Sequence, residues 1–516
     1  MAYLHRYCAL ALVCAAPLVA AIHHDVVHLD VKYQVLDNFG ASDAWSMQKI
    51  GSWPEEDKER VAQLLFSPVA GIGLSCWRFN LGAGPDKTIT NPWRTAETFE
   101  VSEGKYDWTR QANERWFLKA AKRYGVPYFL AFANSPPARM TRNGLTHTTK
   151  GMGATNLKPG YEAQYARYLA DILQHFRNNQ DARERIDFQY VSPVNEPMWE
   201  WDGVTQEGNR YSNTDIKAIL TALDQALRHD HLDTEIIAPE SGSLPALYEP
   251  VANMTNEYKT AYGDYLDAFL GDEQIRKILH DRIAYHAYGS DRLDSELLQR
   301  REAIRAKLAR HKKAQLWETE YCILEGPEGK GGHGRDLTMN TALDVARVMH
   351  YDLTVAGVSA WQWWLAMSNS DFKDGLLYTD YQKIGDAPSI IASKLLWTFG
   401  NFSKFIRPGM QRVELQGEGH DMRGLLGSAW LDEDRARLVV VYLNEGTTSE
   451  TVVMSTEFKK HRVYAPDIYP FITSDKAGDD LKQYPTVQPD SQGVLTYTIP
   501  ARSAVTLVGT LAAESE

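Results

Sequence analysis

The 516-residue chain is poor in cysteine: it has four, and two of them, Cys8 and Cys14, fall within the first twenty residues. A chain of this length buries enough apolar surface to fold without a disulfide framework. Cys76 and Cys322 read as buried free thiols, with a disulfide between them as the alternative. Beyond the N-terminus no apolar run reaches about eighteen residues, which excludes a spanning helix and membrane insertion. Positive charge is also short. Lys and Arg number 55 against 67 Asp and Glu, so the net charge is −12. That balance argues against nucleic acid or an anionic membrane as a partner. H-E-x-x-H and C-x-x-C do not occur, and His23, His24 and His28 lack partners at ligand spacing, so no metal and no cofactor is expected. The glycine-rich stretch 326–332 lacks the G-x-x-x-x-G-K-[ST] pattern of a phosphate loop and reads as a mobile loop. There is no internal repeat and no low-complexity linker.

Residues 1–21 have the form of a secretory signal. Arg6 supplies its positive start, residues 7–19 its short apolar stretch, and Val19-Ala20-Ala21 its small-x-small cleavage site. Bulky Val13 before Cys14 does not suit a lipoprotein site. The mature chain is therefore expected to be secreted or periplasmic. Two sequons, at Asn253 and Asn401, carry meaning only in a eukaryotic secretory host.

From about residue 35 to 400, strand-like and helix-like segments alternate. Strands are expected at 35–39, 73–80, 128–133, 188–194, 235–238, 283–288, 314 to Glu320, and 357–364. Helices are expected at 56–66, 110–124, 162–177, 214–228, 293–311, 339–354 and 389–399. Eight such units make a (β/α)8 TIM barrel. After Pro408 the runs become short, β-branched and separated by turn signals, the pattern of a side-packed C-terminal antiparallel β-sandwich. The expected division is a signal at 1–21, an N-terminal strand joining the sandwich at 22–34, the barrel at 35–402 and the sandwich at 403–516.

Two glutamates end strands of this barrel: Glu196 in Val-Asn-Glu-Pro after strand 4, and Glu320 in Trp-Glu-Thr-Glu-Tyr on strand 7. Two carboxyls facing each other across a barrel mouth are what retaining glycoside hydrolysis requires. Glu196 would be the acid/base, its proton retained through burial and a neighbouring carboxylate. Glu320 would be the nucleophile. Glu318, two residues earlier and on the same face by strand alternation, is its competitor. Arg78 could hold the nucleophile ionised, or form a structural ion pair. Asn134 and Asn195 could bind sugar hydroxyls, although Asn134 could equally cap a turn. Tyr288 could donate to Glu320. His286 could contact sugar, tune a carboxylate, or be a satisfied barrel histidine. Trp363 is chosen as the floor of the −1 subsite because it shares a face with Trp361. Trp199 and Trp201 could line the leaving-group side or pack a loop, and Glu240 could belong to the polar ring.

These residues carry a resemblance. Asn38-Phe39-Gly40-Ala41-Ser42, Gly73-Leu74-Ser75 through Arg78, Ala133-Asn134-Ser135-Pro136-Pro137, Val194 to Pro197, His286-Ala287-Tyr288 and Trp317 to Tyr321 together resemble glycoside hydrolase family 30. The resemblance runs over about residues 30 to 510 and implies a barrel with a β-sandwich beside it. The family's Trp-x-Ser/Thr-Glu pattern selects Glu320. Asp43 to Ser46, Met140 to Gly144 and Gln206 to Asn209 look like the branch that includes endo-β-1,6-galactanases. The implied function is a secreted, monomeric, retaining hydrolase of a polysaccharide or oligosaccharide, an endo-β-1,6-galactanase first. A β-1,6-glucanase, xylanase or exo-β-glycosidase of the family is the alternative. A non-catalytic carbohydrate-binding protein is the rival from another class.

Overall fold

A computed structural model describes residues 21–151, 155–251, 262–326, 329–383, 385–417 and 420–512. The expected signal segment and the Asn253 sequon lie outside these residues. Strand β1 (Ile22–Val35) precedes the barrel. The barrel strands are β2 (Asn38–Ser42), β3 (Cys76–Asn80), β4 (Tyr128–Phe132) and β5 (Tyr190–Ser192). They continue with β6 (Glu235–Ile236), β7 (Pro239–Ser241), β8 (Arg282–His286), β9 (Gln315–Tyr321) and β10 (Ala360–Ser368). All pair in parallel, in the order β6-β5-β4-β3-β2-β10-β9-β8-β7. Because β6 and β7 are successive pieces of one chain segment, the ring closes. Ile237 N–H donates to Val191 O at 2.9 Å on one side, and Ala284 N–H donates to Ala238 O at 3.0 Å on the other.

Alternation in β3 shows how the barrel sorts its residues. All five residues are buried, as expected of a parallel strand covered on both faces. Trp77 packs edge-on against Phe66, and Phe79 against Phe176, both in the helix layer. Arg78 between them points inward. The outer layer holds α1 (Glu55–Phe66), α2 (Ala112–Arg123), α3 (Glu162–Arg177), α4 (Asn213–His229), α5 (Asp294–Leu308), α6 (Met339–Tyr351) and α7 (Lys394–Ser403). α4 is typical: Ser212 and Asp215 form a capping box, and Ile216, Ile219, Leu220, Leu223 and Leu227 make the buried stripe.

Expected boundaries shift by a few residues, the first strand from 35–39 to Asn38–Ser42 and the second from 73–80 to Cys76–Asn80, and two of the shifts have a clear local reason. The last strand starts at Ala360, because Asp352–Ala356 extends the preceding helix as a wider turn that ends at Gly357 in the left-handed region (φ 76°). The last helix starts at Lys394, because strands Gly375–Tyr378 and Ile391–Ala392 pair first and Ser393 then caps the helix. Cys76 and Cys322 are free thiols. Among the described residues no helix is long and apolar enough to cross a membrane.

The β-sandwich comprises β1 with β11 (Gln411–Gly417), β12 (Leu425–Asp432), β13 (Arg437–Asn444), β14 (Glu450–Phe458), β15 (Ile468–Ser474), β16 (Ser503–Thr510) and shorter strands. β1 lies between β11, antiparallel to it, and β14, parallel to it. β13 explains the side-on packing. Val440 and Tyr442 belong to the sandwich core, whereas Val439, Val441 and Leu443 belong to the barrel's core. Asn401 of α7 fastens the same junction. Its amide donates to Thr506 Oγ1 (2.9 Å) and Phe471 O (3.1 Å), and its carbonyl accepts from Thr473 Oγ1 (2.7 Å). It is fully enclosed, so its role in this fold is structural. Asn401→Ala strands these partners and should cost about 2–3 kcal/mol, seen as an earlier urea midpoint for the sandwich. An unchanged midpoint would remove Asn401 as a fastening.

Candidate active site

Glu196 follows β5 with its backbone in the left-handed region (φ 41°), an uncommon state for a non-glycine residue and one that clusters at functional sites. Its neighbours hold it there. Its N–H donates to Glu240 O (2.9 Å), and its carbonyl accepts from Trp199 N–H (3.2 Å) and the Trp201 indole (3.0 Å). Gly242 makes room: a Cβ there would stand 2.3 Å from Trp199 Nε1 and 3.1 Å from Glu196 Cδ.

Glu320 receives Arg78 Nη1 at 2.5 Å and the Tyr288 hydroxyl at 2.9 Å. His286 Nδ1 is 2.9 Å from Glu196 and 3.5 Å from Glu320. One carboxylate oxygen from each glutamate and one His286 nitrogen lie within 4.8 Å of one another. Such a triad has the donor set for a metal ion, but here both ring nitrogens face carboxylates. Nε2 reaches Glu240 at 3.1 Å. Glu240 also accepts from the Ser192 and Thr319 hydroxyls and stands 3.7 Å from Arg78 Nη2.

The electrostatics follow from these contacts. Burial raises the Glu196 pKa, His286 opposes the rise, and the Glu320 charge adds to it; the net direction is upward. For Glu240 burial also pushes upward, but Arg78, His286 and Ser192 outweigh it and hold the group at about 2. Burial would lower His286, yet Glu320, Glu196 and Glu240 push it up to about 10. The cluster thus sets two cations, Arg78 and His286, against an ionised Glu240, and within it Glu196 is the carboxyl whose hold on a proton is strengthened.

Two strand irregularities decide which side chains face the mouth. In the β8–β9 ladder Tyr285 pairs with Glu318 and His286 with Glu320, so Thr319 is an extra residue. Glu318 therefore lies on the side of Tyr285, whose hydroxyl bonds Asp352 in the helix layer. Its carboxyl accepts from the backbone N–H groups of Glu320, Ala287 and Gln362. The expectation that Glu318 and Glu320 share a face is corrected by this bulge. In the β10–β2 ladder Trp363 pairs with Ala41 and Leu365 with Ser42, which makes Trp364 the extra residue. Trp361 and Trp363 stack together (6.4 Å, 25°) with Trp361 against Phe399 of the helix layer, while Trp364 lines the mouth. Trp364, not Trp363, is the aromatic wall.

The mouth is a cavity of about 800 Å³ whose walls include Glu196, Glu320, Tyr288 and Trp199. Arg78, Asn134, Asn195, His286, Glu240 and Trp363 do not line it. Arg78, His286 and Glu240 are buried beneath the carboxyl pair, and Asn195 accepts from Arg78 Nη2 at 3.1 Å. Asn134 is buried beside Glu207. Of these positions, Arg78, Asn195, His286 and Glu240 are in hydrogen-bonded or ionic contact with the carboxyl pair or with one another. The sequence reading missed Arg94, Trp364 and Asp374, which line the cavity, and the part played by Glu207. Buried Glu207, raised to about 7 by burial, takes the Trp45 indole (3.1 Å) and Ala83 N–H (3.2 Å). It thereby ties the loop carrying Trp199 and Trp201 to the ends of β2 and β3. Its signal was the Gln206 to Asn209 segment, whose tertiary role no spacing revealed.

A closed (β/α)8 barrel whose mouth holds two facing carboxyls, one with its pKa pushed upward, fits a glycoside hydrolase. The chain belongs to O-glycosyl hydrolase family 30, whose family model matches residues 23–378. It is 24% identical over 480 residues to an endo-β-1,6-galactanase of Hypocrea rufa, covering 87% of this chain and 86% of that protein. It is 23% identical to a glucuronoxylanase of Bacillus subtilis, over 73% of this chain and 75% of that one. The crystal structure of a conserved exported protein from Bacteroides fragilis superposes with a TM-score of 0.80 at 30% identity, over 94% of this chain and 99% of that one. The protein is accordingly a glycoside hydrolase.

His286 gives a test of the charge ledger. Its folded pKa of about 10 exceeds the ordinary 6.5. The stability it contributes is therefore fully present below pH 6.5 and lost as pH rises through 10. The urea midpoint of the native protein should exceed that of His286→Gln at pH 6, with the gap closing toward pH 10. A gap independent of pH would show that the imidazole is not charged.

Proposed function

We propose that the protein is an exported, retaining β-glycosidase that cuts inside β-1,6-linked galactan chains. The observation that carries the reading is the approach of Glu196 and Glu320 to within 4.8 Å over the cavity. Retaining enzymes keep their carboxyl groups about 5–5.5 Å apart, whereas inverting enzymes leave a wider gap for water. Glu196 gives its proton to the glycosidic oxygen as Glu320 attacks the anomeric carbon. Arg78 and Tyr288 hold Glu320 in line by direct hydrogen bonds. The glycosyl ester then has no charge on Glu320, so one of the forces raising the Glu196 pKa is gone. Glu196, deprotonated in the first half and now under less pressure to regain a proton, acts as the base: it takes a proton from the water that attacks the anomeric carbon and releases the sugar from Glu320, which restores both carboxyls.

Trp199, 41% exposed, stands beside Glu196 against Gly242, where the leaving sugar would stack. Trp364, Arg94 and Asp374 would hold the glycone. The similarity to the Hypocrea galactanase supports the galactan reading. The N-terminal segment, together with the likeness to an exported Bacteroides protein, supports export.

The test is a panel of β-1,6-galactan, β-1,6-glucan, xylan and aryl β-glycosides, with the reducing-end anomer followed by early-time NMR. The unmodified protein should release β-configured products from galactan at internal linkages. Glu196→Gln and Glu320→Gln should each lose at least about 10³-fold in kcat on the polymer. Cleavage of xylan or glucan instead would move the substrate within the family. α-Configured products would refute the double displacement, and binding with no turnover of any substrate would favour the carbohydrate-binding rival.

A further inference from the structure

A second aromatic feature lies on the outer wall of the barrel, built by the hairpin Glu100–Ser102/Lys105–Tyr106 and by α3. Tyr106 and Trp108 stack with centroids 4.6 Å apart and planes 1° apart. Trp108 and His175 stack at 3.8 Å and 4°. The three rings form one parallel pile, partly exposed, along a cleft of about 520 Å³. The rest of the cleft is amide-rich: Gln174, Asn178, Asn179 and Gln180, with Asp171.

The charges are quenched. Asp171 accepts from the Tyr106 hydroxyl (2.7 Å) and from Arg167 Nε (2.7 Å). Burial and Arg115 lower the His175 pKa, so the imidazole is neutral near pH 7. Among the described residues the side-chain amides of Gln174 and Asn178 take no hydrogen bond from the protein. Uncharged rings beside free amides match a pyranose, which offers C–H faces to aromatics and hydroxyls to amides. They do not match a phosphate, which calls for cations, or a protein partner, which calls for a broad apolar centre.

We infer that the ring pile of Tyr106, Trp108 and His175 with its amide rim is a second sugar-binding site, which holds a distant stretch of the polysaccharide that the active site cuts. The inference rests on the proposed action on a polysaccharide and not on the choice of galactan. Its value lies in effective concentration. A polymer held at one point presents its other units to the catalytic cavity at raised local concentration, whereas a short glycoside cannot reach both sites.

The experiment is native electrophoresis of Glu320→Gln through gels cast with galactan, glucan or xylan, repeated with Trp108→Ala added and, separately, with Gln174→Ala and Asn178→Ala added. The amide pair is exposed or half-exposed, so it tests the site even where removing Trp108 unsettles the hairpin. Expected is retardation by one polymer, reduced about three- to ten-fold in apparent affinity by either change. With Glu320 intact, the same changes should slow cleavage of that long polymer by a similar factor and leave kcat/KM on an aryl glycoside unaltered. Equal retardation of all proteins overturns the site, as does an equal loss on polymer and aryl glycoside. Retardation by none of the polymers overturns it too. Failure of the galactan reading appears separately, as retardation and cleavage that follow glucan or xylan, and that outcome upholds the second site.

Discussion

The contact on which the site depends is that of Arg78 with Glu320, sealed inside the barrel and flanked by the His286–Glu240 pair. Charges removed from water must be matched one for one, because a lone buried charge costs several kcal/mol. Arg78 and His286 are two cations set among three carboxyls, Glu196, Glu240 and Glu320, so the cluster has more acidic groups than cations to match them. The upward push on the Glu196 pKa thus comes from the Glu320 carboxyl as well as from burial. Glu240 never meets the cavity, yet without it His286 would have one carboxylate partner fewer, and the guard on the Glu196 proton would change.

This ledger also constrains the backbone. Four of its members end successive parallel strands or follow them directly: Glu196 after β5, Glu240 in β7, His286 in β8 and Glu320 in β9. Regular pleating sends alternate residues inward, but the mouth needs its groups at heights that regular pleating does not provide. The extra residues Thr319 and Trp364 meet that need. One keeps Glu320 level with His286, and the other turns an indole into the cavity beside it. Bulges next to active sites re-aim side chains in this way.

The same irregularities mark where the sequence was legible and where it was not. The barrel could be read because eight apolar runs alternate with amphipathic stretches, and because turn signals separate the sandwich strands. Asn-Glu-Pro and Trp-Glu-Thr-Glu could be read because chemistry in such barrels gathers at strand ends. Alternation then misplaced Glu318 and Trp363, since no local composition announces a one-residue bulge in a fully buried strand. Arg94, Asp374 and Glu207 were beyond reach for a different reason. They sit in loops, and their neighbours come from segments as distant as Trp45 and Glu207, 162 positions apart.

Glu207 shows why those loops can be long and still precise. A loop gains a fixed shape only when its backbone and polar groups find partners. Here one buried carboxyl ties an indole at the end of β2 and an amide after β3 to the loop after β5. The Glu207 N–H meets Arg94 O, Gln206 takes Arg94 Nη1 at 2.7 Å, and Trp45 packs edge-on against Trp364. Walls that would grip opposite ends of a sugar chain are thereby parts of one hydrogen-bonded assembly. The charged cluster beneath the mouth contacts the carboxyl pair directly, and this assembly above it sets the shape of the space they share. The two meet at Glu196, whose side chain belongs to the first and whose carbonyl, through Trp201, belongs to the second.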